Sequence, residues 1–209
     1  MDGQPYSRSV PGNQLRQGEI ISSVAQYMVS VNYNDQAQPS DVRSRIHPYV
    51  IVLSQDCDLA QDFSCRQSSN TSNALQNILL CEVDLASNIK GDRTRIPGSD
   101  IWKRIHQNQD SRFQFLRAVV AEHDTGGAGI PEMLVDFRRA FTLPTADLYE
   151  QAKWSAKRRA VLKSPYVEHL STRFGFFLSR VALPLDHHVE IREALRPKEN
   201  SSSEDVSRT

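Results

Sequence analysis

The sequence contains few cysteines and no long hydrophobic run. Its 209 residues include three cysteines, an odd number without a close-spaced pair, which argues against a secreted disulfide scaffold and against a Cys-x-x-Cys zinc site. No apolar stretch approaches the ~18 residues of a membrane-spanning helix, and the first residues lack the basic and apolar segments of a signal peptide. We therefore expect a cytoplasmic protein with reduced thiols and no membrane contact.

An excess of one charge sign is also lacking. Lysine and arginine together number 25, and so do aspartate and glutamate. The chain as a whole therefore has no positive field that would hold nucleic acid by counterion release, and such binding would need a local basic patch. The hydrophobic content of 39% and the chain length fit one globular domain with a single core.

The pattern along the chain predicts three regions. Residues 1–13 mix glycine, proline, serine and glutamine without a period, which is typical of a flexible arm. Residues 14–184 form the predicted single globular domain, which is β-rich over 14–144 and helical over 145–184. Residues 185–209 are predicted to form a short helix followed by a polar, serine-rich, disordered tail.

The fold class predicted from these elements is α+β. Short runs rich in β-branched residues, of which Tyr49–Leu53 is the predicted central strand, are separated by polar loops, whereas a parallel sheet would need amphipathic crossover helices there. Apolar residues at three- and four-residue spacings predict a helix over 165–183. We expect a small antiparallel curved sheet or an SH3-like barrel with carboxy-terminal helices. The helix could cover its own sheet or a second copy in a homodimer.

The candidate site lies where the predicted central strand runs into the segment Ser54-Gln55-Asp56-Cys57-Asp58-Leu59. Carboxylate oxygens at this short spacing, together with a carboxylate on a neighbouring strand, could hold a divalent metal ion. No other cofactor is indicated. The candidate site residues are Asp56, Cys57, Asp58, Asp62, Cys81 and Glu82.

Two other interpretations of these residues are a cysteine nucleophile and a purely structural role. A cysteine nucleophile is disfavoured, because negative charge on both sides of Cys57 destabilises a thiolate. The sequence favours a structural role, in which Cys57 and Cys81 fill the core on adjacent strands. Asp56 and Asp58 would then organise a turn by accepting hydrogen bonds from backbone amides.

A concentrated group of basic residues surrounds Trp154 in the second half of the chain. Cations with an interleaved aromatic residue could contact the phosphates of a nucleic acid, although a solvated helix face is the simpler interpretation. The group consists of Arg138, Arg139, Lys153, Lys157, Arg158 and Arg159.

Three stretches of the sequence carry a resemblance to a known family. They are Leu15-Arg16-Gln17-Gly18-Glu19-Ile20, Pro48-Tyr49-Val50-Ile51-Val52-Leu53-Ser54 and the strand from Ile78 to Val83. Their succession resembles the strand order of the SH3-like barrel in PemK-like (MazF-like) toxins. This resemblance implies a ribonuclease in which an arginine of the first loop works with a hydroxyl after the third strand. Arg43 or Arg45 matches the arginine, whereas the third strand offers no matching hydroxyl.

A second resemblance covers residues 15–184. It rests on Ser54-Gln55-Asp56-Cys57-Asp58-Leu59, Val135-Asp136-Phe137, Ser164-Pro165-Tyr166-Val167-Glu168-His169-Leu170-Ser171 and Arg180-Val181-Ala182-Leu183-Pro184. These segments are similar to signatures of an uncharacterised group of bacterial proteins, some of them carried by mobile elements. The resemblance implies a bacterial cytosolic origin and no particular activity.

Two function classes follow from the sequence. The first is a non-enzymatic binding module for a partner protein or nucleic acid, in a bacterial mobile-element or toxin–antitoxin-like context. The alternative is a nucleic-acid hydrolase of the toxin-like type, which could be metal-assisted through Asp56, Asp58 and Glu82.

Overall fold

The computed structural model describes residues 4–32, 38–68, 73–96 and 98–179. These residues form seven strands, five α-helices and one 3-10 turn. The strands are β1 (Tyr6–Arg8), β2 (Glu19–Asn32), β3 (Gln38–Val52), β4 (Asn77–Leu85), β5 (Phe113–Leu116), β6 (Met133–Pro144) and β7 (Lys157–Leu162). The helices are α1 (Asp56–Gln67), α2 (Ala86–Lys90), α3 (Ser99–His106), α4 (Thr145–Trp154) and α5 (Tyr166–Leu178).

The seven described strands form one antiparallel sheet in the order β1-β7-β2-β3-β4-β6-β5. The sheet is curved and does not close. The predicted α+β class with an antiparallel curved sheet is therefore confirmed, and the predicted central strand lies in β3, the fourth strand of the seven. Among the described helices, none has the length and apolar character to cross a membrane.

Helices cover both faces of the sheet, because alternate residues of each strand point to opposite sides. On one face, Phe137 of β6 packs against Phe174 and Phe177 of α5, with ring centroids 5.5 and 5.7 Å apart. On the other face, Leu59 of α1 and Leu148 of α4 are fully buried in a second apolar cluster. Helix α5 therefore covers its own sheet.

Strands β2 and β3 continue as a two-stranded ribbon past their pairings with β7 and β4. One face of this ribbon carries Tyr27, Val29, Val42 and Ile46, whose exposed fractions lie between 57% and 66%. Residues on this face stand opposite each other in pairs such as Val29 and Val42, so the apolar surface is continuous. The ribbon thus presents an exposed apolar face.

The flexible arm predicted over residues 1–13 is wrong for residues 6–8, which form the edge strand β1. Tyr6 is fully buried, and its hydroxyl donates a hydrogen bond to the carbonyl oxygen of Arg117 at 2.8 Å. Strand β1 pairs with β7 near the other end of the chain. Three residues are too short to show a period, so this distant pairing leaves no local signal in the sequence.

The helical region predicted over residues 145–184 is interrupted by a strand. Helices α4 and α5 lie where the sequence predicts them, but Lys157–Leu162 form β7, which lies between β1 and β2 in the sheet. Lysine, arginine, alanine and leucine all favour a helix locally, and the pairing with two strands overrides this preference. Residues 180–183 of the predicted helix 165–183, and all predictions for residues 185–209, lie outside the described residues.

A buried ion pair fixes β7 to β2. The Glu19 carboxylate accepts hydrogen bonds from Nε and Nη2 of Arg158 at 2.6 and 2.9 Å. Arg158 also donates to the carbonyl oxygens of Asn13 and Gln14, and both charged side chains are almost completely buried. Because removal of one partner leaves a buried charge unpaired, this pair ties the chain before β2 to β7.

Replacement of Glu19 by glutamine should lower the free energy of unfolding by about 3 kcal/mol, since the Arg158 charge stays buried without a counterion. Urea denaturation of the two proteins measures this difference. The control is Glu150→Gln, which breaks an exposed pair with Lys153 and should cost at most about 0.5 kcal/mol. Equal effects of the two substitutions would contradict the importance of the buried pair.

Candidate functional site

Asp56 is the first residue of α1, which begins four residues after β3 ends. Its carboxylate accepts hydrogen bonds from the Arg16 guanidinium at 3.0 and 2.9 Å and from the Gln17 amide at 2.8 Å. Partial burial raises the pKa of Asp56, but these hydrogen bonds and the charge of Arg16 outweigh the burial, and the pKa is lowered. A carboxylate also suits the positive end of a helix. Asp56 therefore anchors α1 to the chain before β2.

The other candidate residues on α1 point in different directions. Cys57 and Asp58 are exposed, and the Cys57 thiol lies 3.6 Å from an Asp58 carboxylate oxygen. Asp62 is buried and accepts hydrogen bonds from Arg66 and from the Leu75 amide. The prediction that Cys57 lies on a strand beside Cys81 is wrong, because Cys57 belongs to a helix.

The candidate residues do not come together as a metal site. Asp56 is engaged by Arg16, Asp62 by Arg66, and Glu82 by a separate group of cations on β3 and β6. In the part of the chain that the structure describes, no group of three or more histidine, cysteine or acidic side chains is arranged to hold a metal ion. The carboxylates instead serve as counterions for arginines.

The sheet contains a large irregular β-bulge in β6. Cys81 of β4 stands opposite Ala140, while Val83 stands opposite Val135. A single residue of β4 therefore faces the four residues 136–139 of β6. Bulges of this kind interrupt the ladder and redirect side chains, and they are frequent near functional sites.

The bulge is held by Cys81 and Asp136. The Cys81 thiol donates a hydrogen bond to the Asp136 carbonyl oxygen at 3.1 Å, and burial raises the pKa of this thiol, so it stays protonated. The Asp136 carboxylate accepts hydrogen bonds from the Arg138 amide and from the Arg112 guanidinium. Cys81 is thus a buried hydrogen-bond donor on β4, and Asp136 supports the bulge through its carbonyl oxygen and its carboxylate.

Five arginines gather at this bulge around three carboxylates. Asp136 contacts Arg95, Arg112 and Arg138 at 3.5, 2.8 and 3.8 Å. Asp84 contacts Arg95 at 2.8 Å and Arg139 at 2.7 Å. We call the five arginines the arginine cluster; they are Arg45, Arg95, Arg112, Arg138 and Arg139, and their counterions are Glu82, Asp84 and Asp136.

The arginine cluster carries more positive charge than its counterions neutralise. Five guanidinium groups against three carboxylates leave an excess of two positive charges. Burial and the positive charge of Arg45 lower the pKa of Arg139. A cavity of about 480 Å³ opens between Asp136 and four of the arginines. Since planar guanidinium groups bind phosphate and carboxylate groups through paired hydrogen bonds, this arrangement can bind an anion.

Arg138 is the arginine most available to a ligand. Its side chain is 57% exposed, and its nearest carboxylate contact, to Asp136, is 3.8 Å long. Arg112 and Arg139, by contrast, are less exposed and make close contacts with their counterions. Arg138 therefore has donors free for an incoming anion, while its neighbours mainly shape the cavity.

The basic residues named from the sequence do not form one surface. Arg138 and Arg139 belong to the arginine cluster, whereas Lys153 and Lys157 line a different cavity. Arg158 pairs with buried Glu19. Arg159 pairs with Asp124, whose side chain is also fully buried. The last two arginines are engaged in internal ion pairs, so these residues do not form the one concentrated basic surface that the sequence suggests.

A neutral histidine lies beneath the arginine cluster. His47 is buried and stacks on Phe141, with ring centroids 4.4 Å apart. Its Nδ1 atom lies 2.9 Å from Glu82 Oε1. Burial, followed by the charges of Arg45 and Arg139, lowers the pKa of His47 to about 4. The other ring nitrogen, Nε2, lies 3.1 Å from Gln26 Oε1. With its lowered pKa, the ring adds no charge to the site at neutral pH.

The fold and the site together define an α+β protein with a cluster of five arginines at a β-bulge. No protein-family model, curated protein or solved structure shows a significant match to this chain. The two resemblances seen in the sequence therefore stay predictions.

Replacement of His47 by glutamine should flatten the pH dependence of stability between pH 6.5 and about 4. In this window the unfolded chain binds a proton at His47 and the folded protein does not, so the free energy of unfolding falls as the pH falls. Over this pH range, the protonation of His47 in the unfolded chain lowers the free energy of unfolding by about 3 kcal/mol in total. Urea denaturation at a series of pH values measures the slope, and equal slopes for the wild type and the variant would rule out a neutral buried ring.

Proposed function

We propose that this protein is a non-enzymatic binding module that holds nucleic acid through the arginine cluster. The observation that carries the proposal is the excess of two positive charges around a cavity of about 480 Å³ at the β6 bulge. Phosphate is the anion that several guanidinium groups recognise best, because each group offers a fork of parallel donors.

The carboxylates of the cluster do more than neutralise charge. They also hold the arginine side chains in fixed positions, which supports the proposal. Asp84 and Asp136 fix the guanidinium planes of Arg95, Arg112 and Arg139 before any ligand arrives. A preorganised site loses less side-chain freedom on binding, so more of the interaction energy appears as affinity. The same carboxylates repel an anion that does not fit between the arginines, which favours a defined phosphate geometry.

The hydrolase alternative lacks such support among the described residues. Asp56 and Glu82, named for metal-assisted hydrolysis, are each neutralised by arginine and lie on different elements. Asp58 is exposed on α1. Metal-assisted phosphate chemistry needs several carboxylates on one ion. The distribution of these carboxylates therefore favours binding over catalysis.

Protein binding is a second candidate function, because the ribbon of β2 and β3 exposes Tyr27, Val29, Val42 and Ile46 on one face. A continuous exposed apolar face is a feature of protein–protein contacts. A module of a mobile-element or toxin–antitoxin-like system would combine the two surfaces, with nucleic acid at the arginine cluster and a partner protein or a second copy at the ribbon.

Replacement of Arg138 by alanine should weaken binding to nucleic acid about tenfold without lowering the unfolding temperature, because Arg138 is exposed and weakly engaged. Fluorescence anisotropy with labelled single-stranded DNA, duplex DNA and duplex RNA of about 20 nucleotides, at about 50 mM salt, measures the affinity. A plot of log affinity against log salt concentration should have a slope near about −2 for the wild type and about one unit less steep for the variant.

The matched control is Arg8→Ala, which removes an exposed arginine on β1, separated from β6 by four strands in the sheet order. This control should bind like the wild type. The proposal fails when none of the three nucleic acids binds at low salt, or when the substitutions at Arg8 and Arg138 weaken binding equally.

A further inference from the structure

A cavity of about 770 Å³ lies between α1, α4 and the start of β7, and we call it the α1–α4 cavity. Its volume falls within the range of ~300–1,000 Å³ that is typical of small-molecule sites. Among the described residues that line it, none belongs to the arginine cluster. The cavity is therefore a separate candidate for ligand binding.

Aromatic side chains form the walls of the α1–α4 cavity. Phe63 of α1 and Tyr149 of α4 lie with ring centroids 6.5 Å apart, and the Tyr149 hydroxyl accepts a hydrogen bond from the Leu15 amide. Trp154, the last residue of α4, also lines the cavity and is 86% exposed. An exposed indole beside a cavity offers a flat apolar surface on which a nucleobase can stack.

Cationic side chains also line the α1–α4 cavity. Lys157 lines the cavity and is exposed, and within the described part of the chain its ammonium group has no ion-pair partner. Arg66 also lines it, but Asp62 and the Leu75 carbonyl oxygen hold its guanidinium group. The guanidinium group of Arg158 is engaged internally by Glu19. Lys153 also lines the cavity, but its ammonium group is paired with Glu150 at 2.6 Å. Lys157 is therefore the cation best placed to meet a charged ligand.

We propose that the α1–α4 cavity binds a nucleobase that carries a phosphate group, with the base against Trp154 and the phosphate on Lys157. A planar ring and a negative charge are the two ligand features that this combination of side chains recognises. A free mononucleotide and a base of a single strand share this chemistry. The proposal stands independently of nucleic-acid binding at the arginine cluster.

The first experiment uses Trp154 as its own reporter. The sequence has two tryptophans, so Trp102→Phe leaves Trp154 as the only source of indole fluorescence. Titration with AMP should quench this fluorescence saturably, adenosine should quench it at higher concentration, and ribose 5-phosphate should not quench it. A short oligoadenylate distinguishes the two sources of the ligand, because tighter binding than that of AMP indicates a single strand.

The second experiment assigns the two halves of the ligand by isothermal titration calorimetry. Trp154→Ala should weaken AMP binding at least about tenfold, because a stacking surface is lost. Lys157→Gln should weaken AMP binding about fivefold and leave adenosine binding unchanged. Both side chains are exposed, so both variants should keep the wild-type unfolding temperature.

Arg138→Ala in the Trp102→Phe protein serves as the control, and AMP should quench Trp154 fluorescence there with unchanged affinity, because the arginine cluster does not line this cavity. A failure at the arginine cluster and a failure at the cavity therefore give different results. Three outcomes would overturn the proposal. They are the absence of saturable binding of both AMP and oligoadenylate, equal affinity of wild type and Trp154→Ala, and binding of O-phosphotyrosine without binding of AMP.

Discussion

The change of register between β4 and β6 is the constraint on which the candidate site depends. Ala140 and Val135 of β6 pair with β4 residues only two positions apart, so residues 136–139 leave the ladder with β4, while Asp136 still pairs with Phe113 of β5. The Cys81 thiol satisfies the Asp136 carbonyl oxygen that the bulge would otherwise leave buried without a donor. At the bulge, Arg139 lies beside Glu82 and Asp84, and Arg138 lies beside Asp136.

Ion pairs between arginines and carboxylates also occur away from the bulge, but there each arginine has a carboxylate of its own. Between β7 and the neighbouring segments, Glu19 neutralises Arg158 and Asp124 neutralises Arg159, in pairs that are largely buried. At the bulge, charges of one sign outnumber the other. A chain with no net charge thus has a local excess of positive charge at the bulge, where five arginines meet three carboxylates.

Local patterns in the sequence predict much of the fold but little of the site. Tyr49–Leu53 and the helix over 165–183 show clear periodicity or β-branched composition, and the structure has a central strand and a helix there. Strands β1 and β7 escape prediction because their partners are distant in sequence. The sequence also predicts Arg139 and Glu82 as candidate residues, but in separate groups. Only the pairing of β4 with β6 brings them together. The Asp56-Cys57-Asp58 segment, which the sequence singles out as the candidate site, begins helix α1.

The most direct test of the account is a two-dimensional proton–nitrogen correlation spectrum recorded during titration with duplex nucleic acid at low salt. Binding at the bulge should produce the largest shifts at the Arg138 side-chain Nε–H group and at the backbone amides of residues 136–139, with Arg8 unchanged. Shifts that appear on the ribbon around Tyr27 and Val29, while residues 136–139 stay unchanged, would contradict the central role of the arginine cluster.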